Sequence, residues 1–116
     1  DTFYLLPWLS HEETLKYVKG SLLYFMTSLY EGLPISVIEA MSLGKAIVAS
    51  DVLGNKDCVK DGYNGYLIPV KDSDTLAEKL NILFEEMRKH ELIKISCTFG
   101  KTARFTYRKI CKRPVP

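Results

Sequence analysis

Apolar and polar positions along the chain change period several times, and each change marks an element. Thr2-Phe3-Tyr4-Leu5-Leu6 is a β-branched and aromatic run that predicts a strand, stopped by Pro7. Ser10 with Glu13 three residues later forms a capping box, which predicts a short helix from His11 to Lys19 closed by Gly20. The continuous apolar run Leu22–Met26 predicts a buried strand. From Ile35 to about Leu43 the polar residues Ser36, Glu39 and Ser42 fall three apart among apolar ones, so a helix would carry them as one stripe. Pro34 suits the first turn of that helix, and Gly44 is placed to stop it. Ala46-Ile47-Val48-Ala49 reads as a parallel strand buried on both faces. Asp51–Val59 reads as a loop leading into a turn of helix, with Cys58 a small buried apolar residue. Two turn pairs, Asp61-Gly62 and Asn64-Gly65, feed a strand over Tyr66–Val70. Asp72 or Ser73 then caps an amphipathic helix to His90, whose Leu76, Leu80, Leu83, Phe84 and Met87 recur at core spacing. Glu91–Cys97 and Lys101–Lys112 read as two more short helices, broken at Gly100.

Strand, helix and strand repeated in this order are the pattern of a doubly wound α/β fold. The expected architecture is a Rossmann-like three-layer sandwich around a short parallel sheet, with strands near residues 2–6, 22–26, 46–49 and 66–70. A length of 116 residues is one domain, divided here into a body, 1–90, and a C-terminal tail, 91–116. The composition, 47% hydrophobic and 26% charged, is that of an ordinary globular chain able to bury a modest core. No apolar run approaches the length of a membrane span. Cys58, Cys97 and Cys111 are odd in number and lack metal-ligand spacing, so they read as reduced thiols of a cytoplasmic protein.

The net charge of +2 conceals an asymmetry. Residues 101–116 hold six basic side chains and no acid, whereas the preceding hundred hold ten basic and fourteen acidic ones. A basic tail on an acidic body fits contact with an anionic membrane surface, on the cytoplasmic face, as well as it fits a solvated helix. Nothing points to nucleic acid.

The candidate chemistry lies between the second strand and the helix after it. A strand end, a glycine-bearing turn and a helix N-terminus form a ready anion site, because free amides and the helix dipole point outward. Glu31 and Glu39 bracket that turn with seven residues between them. From Pro34 to Glu39 the helix would rise roughly 7–8 Å, about the reach from a phosphate at the tip to a ribose lying along it. A carboxylate suits vicinal hydroxyls because it accepts two hydrogen bonds at once.

Glu31-Gly32-Leu33-Pro34-Ile35-Ser36-Val37-Ile38-Glu39-Ala40-Met41 resembles the E-x7-E motif of retaining glycosyltransferases of the GT-B fold, in the family 4, or group 1, type. The likeness extends over some sixty residues, through Gly44–Asp51 and the "dG.nG" turn at Asp61–Gly65. It implies the C-terminal, donor-binding half of such an enzyme. That half would hold a nucleotide-sugar and pass its sugar to a glycan or lipid-linked acceptor, in cell-surface polysaccharide biosynthesis. By this resemblance Glu31 is the catalytic residue and meets the transferred sugar, while Glu39 meets the ribose. The amides of Gly32, Leu33, Ile35 and Ser36 face sugar and phosphate beside Pro34, which has no N–H, and Gly54 belongs to a glycine loop near the donor sugar.

The resemblance also implies what stands elsewhere. Asp1 is not a Met, and the chain enters a strand-like run at once, as a segment of a longer protein would. The acceptor-binding N-terminal domain and the opening strands of the donor half would precede it, with the Arg and Lys that neutralise the diphosphate. No metal and no cofactor are implied, since relatives use side chains and the helix dipole. The isolated chain would be inactive, and its unpaired sheet edge would invite self-association. A hydrolase with two carboxylates across a glycosidic bond does not fit two groups placed along one ligand. A nucleotide-sugar epimerase of the same fold and a non-catalytic anionic-surface-binding domain are the alternatives. EGLP followed by EAM favours the transferase.

Overall fold

The computed structural model of the chain describes residues 3–89. Seven elements follow one another: α1 (His11–Gly20), β1 (Leu23–Met26), α2 (Ile35–Ser42), β2 (Ala46–Ser50), α3 (Leu53–Cys58), β3 (Tyr66–Ile68) and α4 (Ser73–Lys89). The strands form one sheet in the order β1-β2-β3, parallel throughout. Leu23 stands opposite Ala46, and Val48 opposite Tyr66.

The sheet is covered on both faces, which gives the expected three layers. All of β2 is buried. Its period of two sends Ile47 and Ala49 to one side, where they pack with Val37, Ala40 and Met41 of α2 and with Val59. Val18 of α1 closes that side. Ala46 and Val48 go to the other side and meet Ile68 with Leu83 and Met87 of α4.

Three helix ends follow the capping chemistry read from the sequence, whereas α1 runs through Gly20 to a C-cap at Ser21. Ser10 and Glu13 form the full capping box, and the two hydrogen bonds to Ser10 hold the Glu13 carboxyl below its ordinary value. Asp72 caps α4: its carboxylate accepts from the Thr75 amide (2.9 Å) and hydroxyl (2.6 Å), which lowers its pKa too. Gly44 ends α2 with φ 76°, and the Gly44 and Lys45 amides reach back to the carbonyls of Met41 and Ala40. That is a Schellman motif, and the left-handed backbone it needs suits glycine.

Several expectations change. No strand forms over Phe3–Leu6, and Phe3 and Leu5 are almost wholly exposed. A strand needs a ladder partner, and among the described residues the strands pair only with one another. The expected strand Tyr66–Val70 ends at Ile68, because Pro69 lacks an N–H and Lys71 turns the chain at φ 57°. β1 is half-buried rather than buried, with Phe25 at 49% exposure, because among the described residues it has a neighbour on one side only. Phe84 is exposed on the outer side of α4, and Ile35 and Ile38 point out of α2. After β2 the expected turn of helix is present but longer, six residues over Leu53–Cys58, and the loop before it is short. Cys58 is half-buried against the first core cluster, and desolvation, helped by Asp57, raises its thiol pKa. The expected helices at Glu91–Cys97 and Lys101–Lys112, and so the tail, lie outside the described residues.

Lys45 is the polar group that the hydrophobic pattern conceals. It is fully buried at the start of β2, and its ammonium donates to the carbonyls of Lys19 (2.7 Å) and Ser21 (2.7 Å) at the end of α1. Replacement by methionine keeps the stem's bulk and leaves two carbonyls facing a thioether. Hydrogen bonds to a charged group are worth about 1.5–3 kcal/mol, so Lys45→Met should lower the stability of the chain by about that much. Urea titration measures it, and an unchanged midpoint would mean that the ammonium is not what holds α1.

Candidate functional site

Residues 27–34 join the C-terminal end of β1 to α2 and carry Glu31, Gly32, Leu33 and Pro34. Parallel α/β sheets collect their ligands at this edge of the sheet, where loops and helix N-termini converge. The loop is anchored at several points. Ser28 Oγ donates to Glu31 Oε1 (2.8 Å), so the glutamate is oriented from within its own turn. The Ser28 carbonyl accepts from Ser50 Oγ at the end of β2. Behind it, the buried Asn55 donates to the Ser50 carbonyl (2.9 Å) and hydroxyl (3.4 Å).

Gly54 completes the anchor. It sits in the first turn of α3, and its N–H donates to the Glu31 carbonyl (2.9 Å). A Cβ at this position would fall inside the van der Waals shells of the Glu31 and Gly32 carbonyl oxygens. Gly54 was expected in a glycine loop near the sugar. It lies instead in a helix, where its missing side chain lets α3 press directly on the backbone of the acidic turn. The structure thus brings Gly54 onto Glu31 and Gly32 from a distant place in the chain.

Gly32 differs from expectation. Its φ is not positive, and a Cβ there would have nothing within 4 Å. The fold itself does not require glycine at this point. Pro34 is buried and occupies the N-cap of α2, with φ −81° and ψ 74° and no side-chain cap. Those angles make an inverse γ-turn, closed by the Ile35 amide donating to the Leu33 carbonyl (2.9 Å). The Ile35 N–H, expected to face a ligand, is therefore engaged. Ser36 and Val37 follow in the first turn of α2, where amides have no intrahelical acceptor.

Glu39 lies one turn further along α2. Its Oε1 is 3.1 Å from His11 Nε2 at the start of α1. Sequence reasoning missed Ser28, Ser50 and Asn55, and it read His11 only as an exposed residue of the helix's first turn, where it does lie. Only Ser28 left a local signal, because Ser28-Leu29-Tyr30-Glu31 has the S-x-x-E spacing that lets a hydroxyl and a carboxylate meet across a turn. An open cleft of about 330 Å³ adjoins the loop on the α4 side, between Thr27, Leu29, Ser50, Lys71 and Ser73. Among the described residues no group of three His, Cys, Asp or Glu side chains is placed to hold a metal ion.

Comparison with known proteins agrees with this architecture. The profile of the family described as glycosyl transferases group 1 matches residues 1–96. The chain belongs to that family. A lipopolysaccharide 1,6-galactosyltransferase of Salmonella typhimurium is 36% identical over 90 residues, covering 75% of this chain and 24% of the relative. An N,N'-diacetylbacillosaminyl-diphospho-undecaprenol alpha-1,3-N-acetylgalactosaminyltransferase of Campylobacter jejuni is 38% identical over 64 residues, 55% of this chain and 17% of the relative. The crystal structure of Anabaena HepE in complex with UDP-glucose superposes with a TM-score of 0.61 at 26% identity, over 83% of this chain and 25% of that one. The chain thus spans about a quarter or less of the relatives it matches. Its fold is the expected Rossmann-like, three-layer arrangement around a short parallel sheet, an incomplete half of a GT-B fold.

The two glycines of the candidate site should respond differently to a methyl group. Gly54→Ala drives a Cβ into backbone and should cost about 1–3 kcal/mol of stability in urea titration. Gly32→Ala meets open space and should stay within about 0.5 kcal/mol of the parent. Equal tolerance of both would contradict the close approach of α3 to the turn.

Proposed function

We propose that the chain is the donor-binding part of a retaining glycosyltransferase that moves a sugar from a nucleotide-sugar to a glycan or lipid-linked acceptor, in cell-surface polysaccharide biosynthesis. The observation that carries this is the Glu31–Glu39 unit. The first carboxylate is oriented by Ser28 on a turn whose backbone Gly54 holds, and the second sits one helical turn beyond the α2 N-terminus. The reading is supported by HepE, a structural neighbour solved with UDP-glucose and with UDP. It is supported also by relatives whose names specify diphospho-undecaprenol acceptors.

Glu31 would accept hydrogen bonds from hydroxyls of the transferred sugar, where positive charge develops in an oxocarbenium-like transition state. It is not assigned as a nucleophile. Glu39 would accept from the ribose. The amides of Gly32, Leu33 and Ser36 would face the sugar and phosphates with the α2 dipole behind them, and no metal is assigned. Because the fold leaves a Cβ at Gly32 unopposed, the glycine there is explained by close approach of the donor. The exposed Tyr30, Leu33, Ile35 and Leu53 form an apolar rim that an acceptor-binding half would cover. That half, with further strands of the donor domain, would meet this chain. The edge of β1 that is unpaired among the described residues suits those strands, or a second copy in their absence.

The protein would work at the cytoplasmic face of a membrane, with the basic residues 101–116 contacting anionic headgroups. Among the described residues no helix is long and apolar enough to cross a bilayer. Each basic residue near such a surface adds roughly 1 kcal/mol, and salt screens it. Deleting residues 101–116 should reduce cosedimentation with vesicles containing phosphatidylglycerol. Sedimentation that survives the deletion would remove the tail from the proposal.

The two glutamates should separate in calorimetric titration of UDP into the full-length protein containing this chain. Glu39→Ala removes charge-assisted hydrogen bonds worth roughly 1.5–3 kcal/mol, so UDP should bind about ten- to a hundredfold more weakly and donor KM should rise. Glu31→Ala should leave UDP binding almost intact and lower kcat. Equal weakening by both substitutions, or by neither, would overturn the assignment.

A further inference from the structure

Glu39 and His11 come from different helices, and their contact does not depend on the chance position of a surface loop. The start of α1 is fixed by the capping box, in which the Ser10 amide donates to Glu13 Oε2 (2.9 Å) and the Glu13 amide to Ser10 Oγ (3.3 Å). The end of α1 is held by the buried Lys45, which follows directly on the Schellman end of α2. Both helices are therefore placed by bonds other than the one between His11 and Glu39. Among the described residues His11 is the one side chain bonded to this carboxylate. The Glu39 side chain keeps 30% of its exposure, so a ligand can still reach it.

The chemistry of the pair leaves room for a third group. An Nε2–H can donate to the carboxylate from the neutral ring with its proton on Nε2 and from the imidazolium alike. It occupies one acceptor position on Oε1. A carboxylate offers about four, so Oε2 remains whole for two vicinal hydroxyls. An unpinned glutamate on an exposed helix side samples several rotamers, and a ligand must select one of them at an entropic cost.

We propose that His11 is a positioning residue for Glu39: it fixes the carboxylate rotamer so that the free oxygen meets the ribose hydroxyls of the nucleotide. The proposal rests on the assignment of Glu39 to the ribose and adds a residue from another element to it. It makes the ribose subsite a joint product of α1 and α2. It also limits what His11 does, since the imidazole acts on the hydroxyls through Glu39 and touches no reacting atom.

The test compares UDP with 2′,3′-dideoxy-UDP, which lacks the hydroxyls, in calorimetric titrations of the full-length protein containing this chain. His11→Ala should weaken UDP about two- to fivefold, the scale of a largely exposed ion pair, and leave the dideoxy nucleotide unchanged. His11→Gln, whose amide nitrogen can replace Nε2 as donor, should restore most of the loss. In a Glu39→Ala background, His11→Ala should have no further effect. If His11→Ala leaves UDP binding unchanged or tightens it, or weakens both nucleotides equally, the positioning role is wrong. If Glu39→Ala weakens UDP while His11→Ala does not, this inference alone fails. If the parent binds no UDP, or Glu39→Ala leaves its binding intact, the ribose assignment fails and this inference with it.

Discussion

The approach of α3 to the β1–α2 turn is the constraint on which the candidate site depends. Gly54 presses on the carbonyls of Glu31 and Gly32 with no side chain between, and its amide is bonded to the first of them. The same turn is held from β2 by Ser50, and Ser50 is held by the buried Asn55. One loop is therefore tied to two elements that follow it in the chain. A loop with an exposed Tyr30 and Leu33 would otherwise have little to fix it. Pre-organisation of this kind lets a carboxylate meet a ligand without first being ordered.

Those ties require β2 to be where it is. The strand is buried throughout, with Ile47 and Ala49 on the α2 side and Ala46 and Val48 on the α4 side. Its ends carry the polar links: Lys45 to α1 at the beginning, Ser50 to the acidic turn at the end. The buried ammonium is tolerated because it is hydrogen-bonded to carbonyls at a helix C-terminus, where a positive charge also meets the favourable end of the dipole. The apolar centre of the strand drives the assembly, and the polar ends set the positions of the elements around the site.

Most of the secondary structure was legible because it is written in local chemistry. The capping box at Ser10 and Glu13, the helix stop at Gly44 and the continuous apolar run of β2 act within a few residues of one another, and each formed as read. The E-x7-E spacing placed Glu31 and Glu39 on one loop–helix unit for the same reason. The amphipathic period of α4 put Leu83 and Met87 in the core. It overreached at Phe84, because a helix packed on a three-stranded sheet buries a narrower face than its apolar residues suggest.

Tertiary structure decided what depends on distant neighbours. Phe3–Leu6 has the composition of a strand, yet a strand exists only where another supplies its hydrogen-bond partners, and none among the described residues does. Gly54 looked like a loop glycine, and only the packed fold reveals that the Glu31 and Gly32 backbone excludes a Cβ there. Gly32 is the glycine of the acidic turn, and only the fold reveals that neither its φ nor its surroundings demand one. Lys45, Ser50, Asn55 and His11 have no local pattern to announce them, because their partners are about 5 to 28 residues away. Local sequence determined which segments are helix and strand and which carboxylates share a unit. Long-range packing determined how those carboxylates are held, because hydrogen bonds and close contacts between distant segments arise only when the chain has folded.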